Sequence, residues 1–381
     1  MILDLFVLLW QSTRLVEGVL AGAIVIPHGD FAYDPTLIPP SRTKERRYAE
    51  ELSVASRLAG NWLFDDVQPD FIFLSTPHGM KLDNDFAIFM GKRGRGTSLI
   101  GEDVIPKDNT LLYNLTLEVE FTPTLAKSLL SYLRYDQSHH RNNVSGIFGF
   151  DDEWSMPLNW GEIIPLSMIF PSSESDRQSQ RDLMKQYSQE QTPKRHSRRF
   201  RKLNQQRQKP VMIWSNPERR YDHAPDMVSE ILRLGRQIQK WIDELPERVG
   251  VVISADLSHS HTPEGPYGYS NASSPFDTAI GRWASDPCSA EGSSSLLKTC
   301  RNLQNDAKCC GYTGLVLLHG MICPDATDRS ELSTKTSTED GPKFKATLLA
   351  NRNVTYYGMM AATFARIPRS MPMAGVAHAI G

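Results

Sequence analysis

The sequence predicts one α/β domain with a central mixed, largely parallel sheet flanked by helices, and a metal pocket at the carboxyl edge of the strands. Three apolar runs each end in a histidine, in the segments AIVIPHG, FIFLSTPHG and VVISADLSH. Apolar runs without polar alternation are typical of strands buried on both faces. Segments with helical spacing lie between them, which is the order that gives parallel strands. Ligands bind beyond the carboxyl ends of such strands, so the three histidines indicate a site.

Length, charge and cysteine content limit the functions open to the chain. Its 381 residues allow one large α/β domain or two smaller domains. A net charge of −2 gives no basic field, so we expect no nucleic-acid partner. The five cysteines are an odd number and lie in the C-terminal third, which favours a reducing compartment over a disulfide framework.

The N-terminal run MILDLFVLLW is apolar but far too short to span a membrane. As a secretory signal it lacks a Lys or Arg before the apolar core and a small-residue cleavage site after it. We therefore predict an N-terminal extension over residues 1–18 and a cytoplasmic location. The signal-like composition keeps entry into the secretory pathway open as the alternative.

The first two strands each deliver a histidine. The strand over 23–26 stops at a proline, which cannot donate to a neighbouring strand, and His28 follows at once. Apolar residues at helical spacing then predict a helix over 42–63. A second strand over 71–76 leads to His78. Strand, helix and strand of these lengths form a right-handed parallel crossover, which places both histidines at the same sheet edge.

The middle of the chain alternates between ordered and polar segments. We predict edge strands over 112–121, a helix over 123–133, and an aromatic-rich segment over 147–170 whose apolar end is strand-like. Residues 172–209 are rich in Ser, Gln, Arg and Lys with almost no apolar residues, which predicts a disordered basic insertion. The basic run over 194–202 is a solvated loop, an RNA contact or a localisation patch.

Order returns after the insertion with a strand over 210–216, a helix over 227–245 and the strand that leads to His259. The remaining predicted elements are short helices around 279–283 and 293–304, a turn and apolar segment over 306–322, and a closing strand over 353–367. The domain therefore runs over residues 19–368 around the insertion, and residues 369–381 form a flexible tail.

Two neutral imidazoles at neighbouring strand ends are the first two ligands that a divalent transition metal needs, and a third protein group would leave positions open for substrate. His28 and His78 are the candidates, although histidines at such places also serve as hydrogen-bonded structural residues. His259 is a candidate acid/base group, because a neutral imidazole near pH 7 accepts and returns a proton. Asp256 either orients His259 or caps a turn.

Four segments together resemble the LigB-type family of class III extradiol ring-cleaving dioxygenases. They are a strand before PHGD, a strand before TPHG, the segment SADLSH before PYGY, and a Cys/Gly segment before an apolar run, spread over residues 21–364 without the insertion. The resemblance implies a nonheme Fe(II) held by two histidines and a carboxylate, with O2 and a catecholate in the open positions. It assigns metal binding to His28 and His78, and acid/base catalysis to His259.

Two departures from the family pattern concern the third ligand and a second histidine. In place of a glutamate this chain has Cys309, Cys310 and Gly311, which resembles the Memo-like branch of the same superfamily and makes Cys310 the predicted third ligand. A thiolate favours Zn or Cu over an oxygen-activating iron. Cys309 and Asp306 are the alternatives, and the cysteines are otherwise small buried residues. Trp160 stands where ring-cleaving members often have a second catalytic histidine.

The resulting hypothesis is an Fe(II)-dependent extradiol-type dioxygenase that cleaves a catecholic compound with O2. Its partners are then a small aromatic substrate and O2, and its predicted substrate-binding residues are His261, Trp160 and Tyr267. The alternative is a Memo-like metal-binding, redox or scaffold protein without ring-cleaving activity, and metal-assisted hydrolysis is a third hypothesis. Because family members often associate, the resemblance also leaves a homo-oligomer open.

Overall fold

The computed structural model describes residues 19–102, 112–134, 142–151, 153–170, 208–324 and 343–367. The predicted N-terminal extension 1–18, the predicted tail 369–381 and all but the last two residues of the predicted insertion 172–209 lie outside the described residues. Within the described ranges the chain forms two sheets and the helices that cover them.

The larger sheet has eight strands and confirms the predicted α/β class with a mixed, largely parallel sheet. In chain order the strands are β1 (Val19–Ile26), β2 (Phe71–Thr76), β3 (Phe86–Phe89), β4 (Arg93–Ile100), β5 (Tyr113–Glu120), β6 (Val144–Ile147), β7 (Met156–Pro157), β8 (Val211–Ser215), β9 (Arg248–Ser254), β10 (Lys343–Asn353) and β11 (Gly358–Ile367). The spatial order is β10-β11-β1-β9-β2-β8-β3-β6 in the larger sheet and β5-β4-β7 in the smaller one.

Four parallel strands in the middle of the larger sheet bring the histidine-bearing ends together. β1 pairs with β9, β9 with β2, and β2 with β8, all in parallel. Their carboxyl ends therefore share one edge, where His28 and His78 lie as predicted. The strand that leads to His259 is β9, which stands between β1 and β2, so this third histidine leaves the sheet beside the other two.

Antiparallel pairing at the margins makes the sheet mixed. β10 and β11 form a hairpin that pairs with β1, and β3 runs antiparallel to β8. The closing strand predicted over 353–367 is therefore the second half of a hairpin, with its turn at residues 354–357. β11 is mostly buried because it lies between β10 and β1, whereas β10 alternates between exposed and half-buried residues at the sheet edge.

Helices cover both faces of the larger sheet. The helices of seven or more residues are α1 (Thr43–Asn61), α2 (Pro123–Arg134), α3 (Trp160–Ile169), α4 (Val228–Asp243), α5 (Ser273–Ser285), α6 (Arg301–Ala307) and α7 (Tyr312–Ile322). They create two apolar cores, one beneath α4, α5 and α7 and the other beneath α1 and α3. In the described part of the chain, no helix combines the length and the apolar character needed to cross a membrane.

The apolar end of the segment 147–170, predicted as strand-like, is the helix α3 instead. The backbone N–H of Asn159 donates to the Glu162 carboxylate at 2.6 Å, one half of the capping box that begins a helix. Every residue from Gly161 to Ile169 is buried. Because apolar residues then occupy all faces of the helix, its sequence shows no helical periodicity.

Cys288 and Cys323 form a disulfide with their Cα atoms 5.4 Å apart, a pairing that the odd cysteine count did not predict. It joins the segment after α5 to the end of α7, which the fold brings together although 35 residues separate them in sequence. Cys300, Cys309 and Cys310 are buried free thiols. The five cysteines are therefore one disulfide pair and three free thiols.

Candidate metal centre

Two strand ends and one turn bring together three side chains of the types that hold metal ions. His28 follows β1, His78 follows β2, and Cys310 lies in the turn between α6 and α7. Their candidate ligand atoms all lie within 4.8 Å of one another. The two imidazole rings meet edge to face with centroids 4.8 Å apart. The structure therefore groups the three residues that the sequence pattern assigns to a metal.

His28 is oriented by a chain of contacts that begins at a proline. Pro165 has no N–H, so the Gly161 carbonyl lacks its usual helical donor in α3. The Ser254 hydroxyl donates to that carbonyl at 2.6 Å and lies 2.9 Å from Nδ1 of His28. Since the hydroxyl proton is used for Gly161, Ser254 accepts from Nδ1–H of His28. This network assigns the tautomer in which the Nε2 lone pair of His28 points to the cluster.

Asp256 holds His28 from another side. Its Oδ1 accepts from the backbone N–H of His28 at 3.0 Å, and its Oδ2 lies 3.4 Å from Nε2. Its backbone carbonyl accepts from the N–H of Gly311 at 3.1 Å, which ties β9 to the Cys310 turn. From the sequence we expected Asp256 to orient His259 or to cap a turn. The structure places its carboxylate on His28, because β9 lies beside β1.

Cys310 is the cysteine that faces the histidines. Its Sγ lies 3.3 Å from Nε2 of His28, and burial raises the pKa of the thiol to about 12. The Sγ of Cys309 instead donates to the Asp256 carbonyl at 3.3 Å. Asp306 is exposed on α6 and lies outside the cluster. Among the three alternatives for a third ligand, the geometry selects Cys310.

His78 packs against the start of α3. Its ring lies 4.7 Å from that of Trp160, and its backbone carbonyl accepts from the Asn159 side chain at 2.9 Å. Gly161 permits this approach, because a Cβ there would stand 2.8 Å from Cβ of His78. Burial lowers the pKa of both His28 and His78 well below the usual value. Both imidazoles are therefore neutral at pH 7, which is the form that binds metals.

His259 faces the same cavity. Its ring stacks on Tyr357 at 5.7 Å and meets Tyr267 edge-on at 5.9 Å. Nδ1 is buried and makes no hydrogen bond of normal geometry within the described residues, and the backbone of Leu257 and of Lys308 lies beside the ring. Burial lowers the pKa of His259 to about 4, so this imidazole is also neutral at pH 7. A buried ring nitrogen without a normal hydrogen bond is a group that a ligand can satisfy.

His261 lies on the back of the same loop, and the structure does not bring it to the cavity. Its Nε2 lies 2.7 Å from Oδ2 of Asp277 on α5 and 2.9 Å from the hydroxyl of Ser258. Because a single ring nitrogen makes both contacts, the three side chains cannot relay a proton as a catalytic triad does. Asp277 is a buried carboxyl group, and the His261 ring and the backbone N–H of Ser258 are its hydrogen-bond partners.

The cavity in front of the cluster has a volume of about 510 Å³. Trp160 and Tyr267, both predicted to bind substrate, line it and are 47% and 57% exposed at its mouth. Its wall consists of His28, Asp30, His78, Thr97, Ser98, Leu99, Glu102, Asn159, Trp160, Asp256, His259, Pro266, Tyr267, Tyr356 and Tyr357.

Two groups of cavity residues could not be located from the sequence. Tyr356 and Tyr357 come from the turn of the β10–β11 hairpin, and Thr97, Ser98 and Leu99 come from β4 of the smaller sheet. Neither group follows a parallel strand, so the rule that located the histidines could not find them. The adjacent tyrosines in NVTYYG were the available signal for the first group.

Comparison with known proteins leaves the family of the chain open. No family model and no curated protein matches it. The crystal structure of the uncharacterized protein JW3007 from Escherichia coli K12 superposes on it with a TM-score of 0.47 and 11% sequence identity, over 90% of this chain and 99% of that one. A similarity at this level gives no information about function.

Proposed function

We propose that the chain is a metal-dependent enzyme that oxidises a catecholic or related aromatic compound with O2, in the extradiol manner that its motifs imply. The observation that carries this proposal is the meeting of His28, His78 and Cys310, with both histidines in the wall of an aromatic-lined cavity. Buried polar side chains gathered around one point cost folding free energy. A bound metal ion offsets that cost through its ligand bonds.

The residues present fit a divalent metal ion. Imidazole nitrogen and thiolate sulfur are ligands of zinc, copper and iron. The contact between Nδ1 of His28 and Ser254 is the kind of outer hydrogen bond that metal-bound histidines make. His28, His78 and Cys310 would hold the ion, with the Asp256 carboxylate beside them. An Fe(II) ion there would supply O2 activation, and a Zn or Cu ion would supply Lewis acidity.

His259 is the proposed acid/base residue. Its imidazole is neutral at pH 7 because burial lowers its pKa to about 4, and its Nδ1 makes no hydrogen bond of normal geometry in the described part of the chain. The low pKa makes this imidazole a weak base and, once protonated by a substrate hydroxyl, a strong acid that returns the proton to a product oxygen. The stacked ring of Tyr357 and the edge contact of Tyr267 hold the imidazole in place.

The aromatic residues of the wall favour a flat apolar substrate. Trp160 and Tyr267 stand at the mouth, and the rings of Tyr356 and Tyr357 pack 4.6 Å apart farther along the wall. Faces and edges of aromatic rings bind another aromatic ring with geometric preference. A volume of about 510 Å³ lies within the ordinary range for small-molecule sites. A single-ring compound with a short substituent is the substrate size that we propose.

A second candidate function is Memo-like metal binding without ring cleavage. Cys310 favours it, because a thiol in the ligand position suits zinc or copper better than an oxygen-activating iron. Trp160 favours it too, since an indole over His78 cannot donate or accept a proton as a second catalytic histidine would. On this hypothesis the cavity binds a ligand that is not oxidised.

The test is the metal content of anaerobically purified protein, followed by O2 uptake on a panel of small catechols. Iron near one ion per chain with catechol-dependent uptake supports the first function. His259→Ala should then keep the metal and lose turnover by about 10²–10⁴-fold, the usual contribution of a general base. Zinc or copper with no uptake after Fe(II) reconstitution would reject ring cleavage and support the second function.

A further inference from the structure

His78 is held in place differently from the other proposed histidine ligand. His28 is fixed through its ring, since its Nδ1 lies 2.9 Å from the Ser254 hydroxyl. Neither ring nitrogen of His78 makes a hydrogen bond within the described ranges. The aromatic contacts of its ring are with Trp160, at 4.7 Å, and with His28, at 4.8 Å. The place of the His78 imidazole therefore depends on the backbone that carries it.

A buried arginine holds the peptide group that precedes His78. Arg220 begins the short helix Arg220–His223 after β8 and is 3% exposed. Its Nε and Nη2 both donate to the carbonyl of Pro77, at 3.1 and 2.6 Å. A guanidinium presents its donors in a rigid planar fork, so the two bonds fix the direction of this carbonyl. Because burying a charge costs free energy, two bonds from one buried cation to one carbonyl indicate that the place of this peptide matters.

The peptide group that follows His78 is held by the first turn of α3. The side-chain amide of Asn159 donates to the His78 carbonyl at 2.9 Å. The next residue is enclosed as well, since a Cβ at Gly79 would stand 2.7 Å from Oγ of Ser215 and 2.8 Å from Oε1 of Glu162. Each residue of the loop 77–79 is therefore fixed by side chains from other elements of the fold.

Both donors are themselves anchored to the scaffold. Asn159 begins α3, and its backbone N–H donates to the Glu162 carboxylate at 2.6 Å. Arg220 follows a segment that is tied to the end of β2, where the backbone N–H of Asn216 donates to the Thr76 carbonyl at 3.0 Å. Outer groups that are held in this way can impose an orientation on a ligand residue.

We infer that Arg220 and Asn159 are positioning residues that hold the His78 imidazole in its metal-binding place before a metal is bound. The inference rests on the proposed metal centre and deepens it, because it assigns two residues that act through His78 and are not ligands themselves. A ligand that is already in place loses less conformational freedom when the ion binds, which raises the affinity. Removal of either donor should therefore weaken metal binding although all three ligands remain.

The first measurement is the zinc affinity of the full-length protein, by competition with a chromophoric chelator. Arg220→Met removes both donors to Pro77, and Asn159→Ser keeps a residue that can cap α3 but cannot reach the His78 carbonyl. Each should weaken zinc binding by about 10–100-fold. Arg219→Met is the matched control, because Arg219 donates to the Asn84 carbonyl at 2.8 Å, away from His78. It should change zinc affinity by less than about twofold, whatever its effect on stability.

The second measurement needs no metal. In zinc-free protein labelled at histidine and tryptophan, NMR should show a nuclear Overhauser contact between the rings of His78 and Trp160, which lie 4.7 Å apart. The contact should persist in Arg219→Met and be lost in Arg220→Met, because the released loop no longer holds the imidazole under the indole. A role of Arg220 in stability alone would leave this contact unchanged.

The outcomes separate this inference from the proposed function. Equal zinc affinity in wild type, Arg220→Met and Asn159→Ser would overturn the inference and leave the metal site standing. A ring contact that persists in zinc-free Arg220→Met would also overturn it. If Arg220→Met does not fold, Asn159→Ser decides, since it leaves the buried arginine in place. Absence of zinc binding by the wild-type chain would overturn both proposals.

Discussion

The loop after β9 has a front side, which faces the cavity, and a back side, which faces α5, and each side has one histidine. His259 and His261 are separated by a single residue, yet His259 faces the cavity and His261 faces α5. The back is satisfied, with His261 bonded to Asp277 and Ser258. On the front, Nδ1 of His259 makes no hydrogen bond of normal geometry among the described residues. The contrast teaches that two histidines one residue apart have different surroundings, one bonded to a helix and the other in the cavity wall.

The same contrast divides the two nitrogens of His28. Its Nδ1 is tied to Ser254 at 2.9 Å, whereas its Nε2 points to the cluster, 3.3 Å from Sγ of Cys310. One half of the ring is thus part of the scaffold and the other half part of the site. Substitutions on the front side should therefore impair metal binding, whereas substitutions on the back side should lower stability.

The largest expected effect is on metal binding by the front residues. His28→Ala and His78→Ala should each abolish stoichiometric metal binding, because each removes one of three protein ligands. The fold should persist, because neither imidazole belongs to either of the two apolar cores. His223→Ala, at a histidine whose side chain is 65% exposed, is the matched control and should bind metal normally. Unchanged metal content in both front variants would refute the assignment.

The back of the loop should respond in stability rather than in metal content. His261→Ala removes the imidazole partner of the buried Asp277 carboxyl group, which keeps only the Ser258 donors, so we expect a loss of about 1–3 kcal/mol in the free energy of unfolding. Metal stoichiometry should stay the same. His261→Gln, which can still donate to Asp277, should recover part of the loss. Loss of metal without loss of stability would place His261 in the metal site and refute its structural role.

A pair of serines gives a smaller and more selective test. Ser254 contacts His28 on the front, and Ser258 contacts His261 on the back. Ser254→Ala should weaken metal affinity by about 10–100-fold, because it releases the tautomer and orientation of a ligand. Ser258→Ala should change metal affinity by less than about twofold. Equal effects in a competition titration would show that Ser254 does not orient the ligand.

These contrasts could be predicted from the sequence only in part. The strand Phe71–Thr76 agrees with the predicted bounds, and the shared edge of His28 and His78 follows from strand–helix–strand order alone. The role of Ser254 could not be predicted, because it requires knowing that β9 lies between β1 and β2 and that Pro165 leaves a carbonyl open. The inward face of His259 and the outward face of His261 depend on Asp277, which is remote from any motif.

The smallest expected effect concerns the buried carboxyl of Glu162 beneath the site. Burial raises the pKa of Glu162 to about 7, and one of its oxygens has no partner in the described part of the chain. In the unfolded chain the group ionises near 4.5. The folded state therefore holds an extra proton between these values, and Glu162 lowers stability as the pH rises through this window.

Glu162→Gln removes this penalty and should stabilise the protein by about 1–2 kcal/mol at pH 8, part of the roughly 3 kcal/mol that the pKa shift represents. His259 and His319 act in the opposite direction, since burial lowers the pKa of each to about 4 and the unfolded chain binds their protons first. Wild-type stability should therefore rise from pH 4 to 6.5, and the rise should be steeper in the variant. Parallel denaturation profiles would contradict the assignment to Glu162.

X-ray absorption spectroscopy of the zinc-loaded protein, beside Cys310→Ser, tests the central claim most directly. The account predicts two imidazole nitrogens at about 2.0 Å and one sulfur at about 2.3 Å in wild type, and loss of the sulfur in the variant. A wild-type shell of nitrogen and oxygen alone would contradict it. So would a sulfur that persists when Cys310 is replaced.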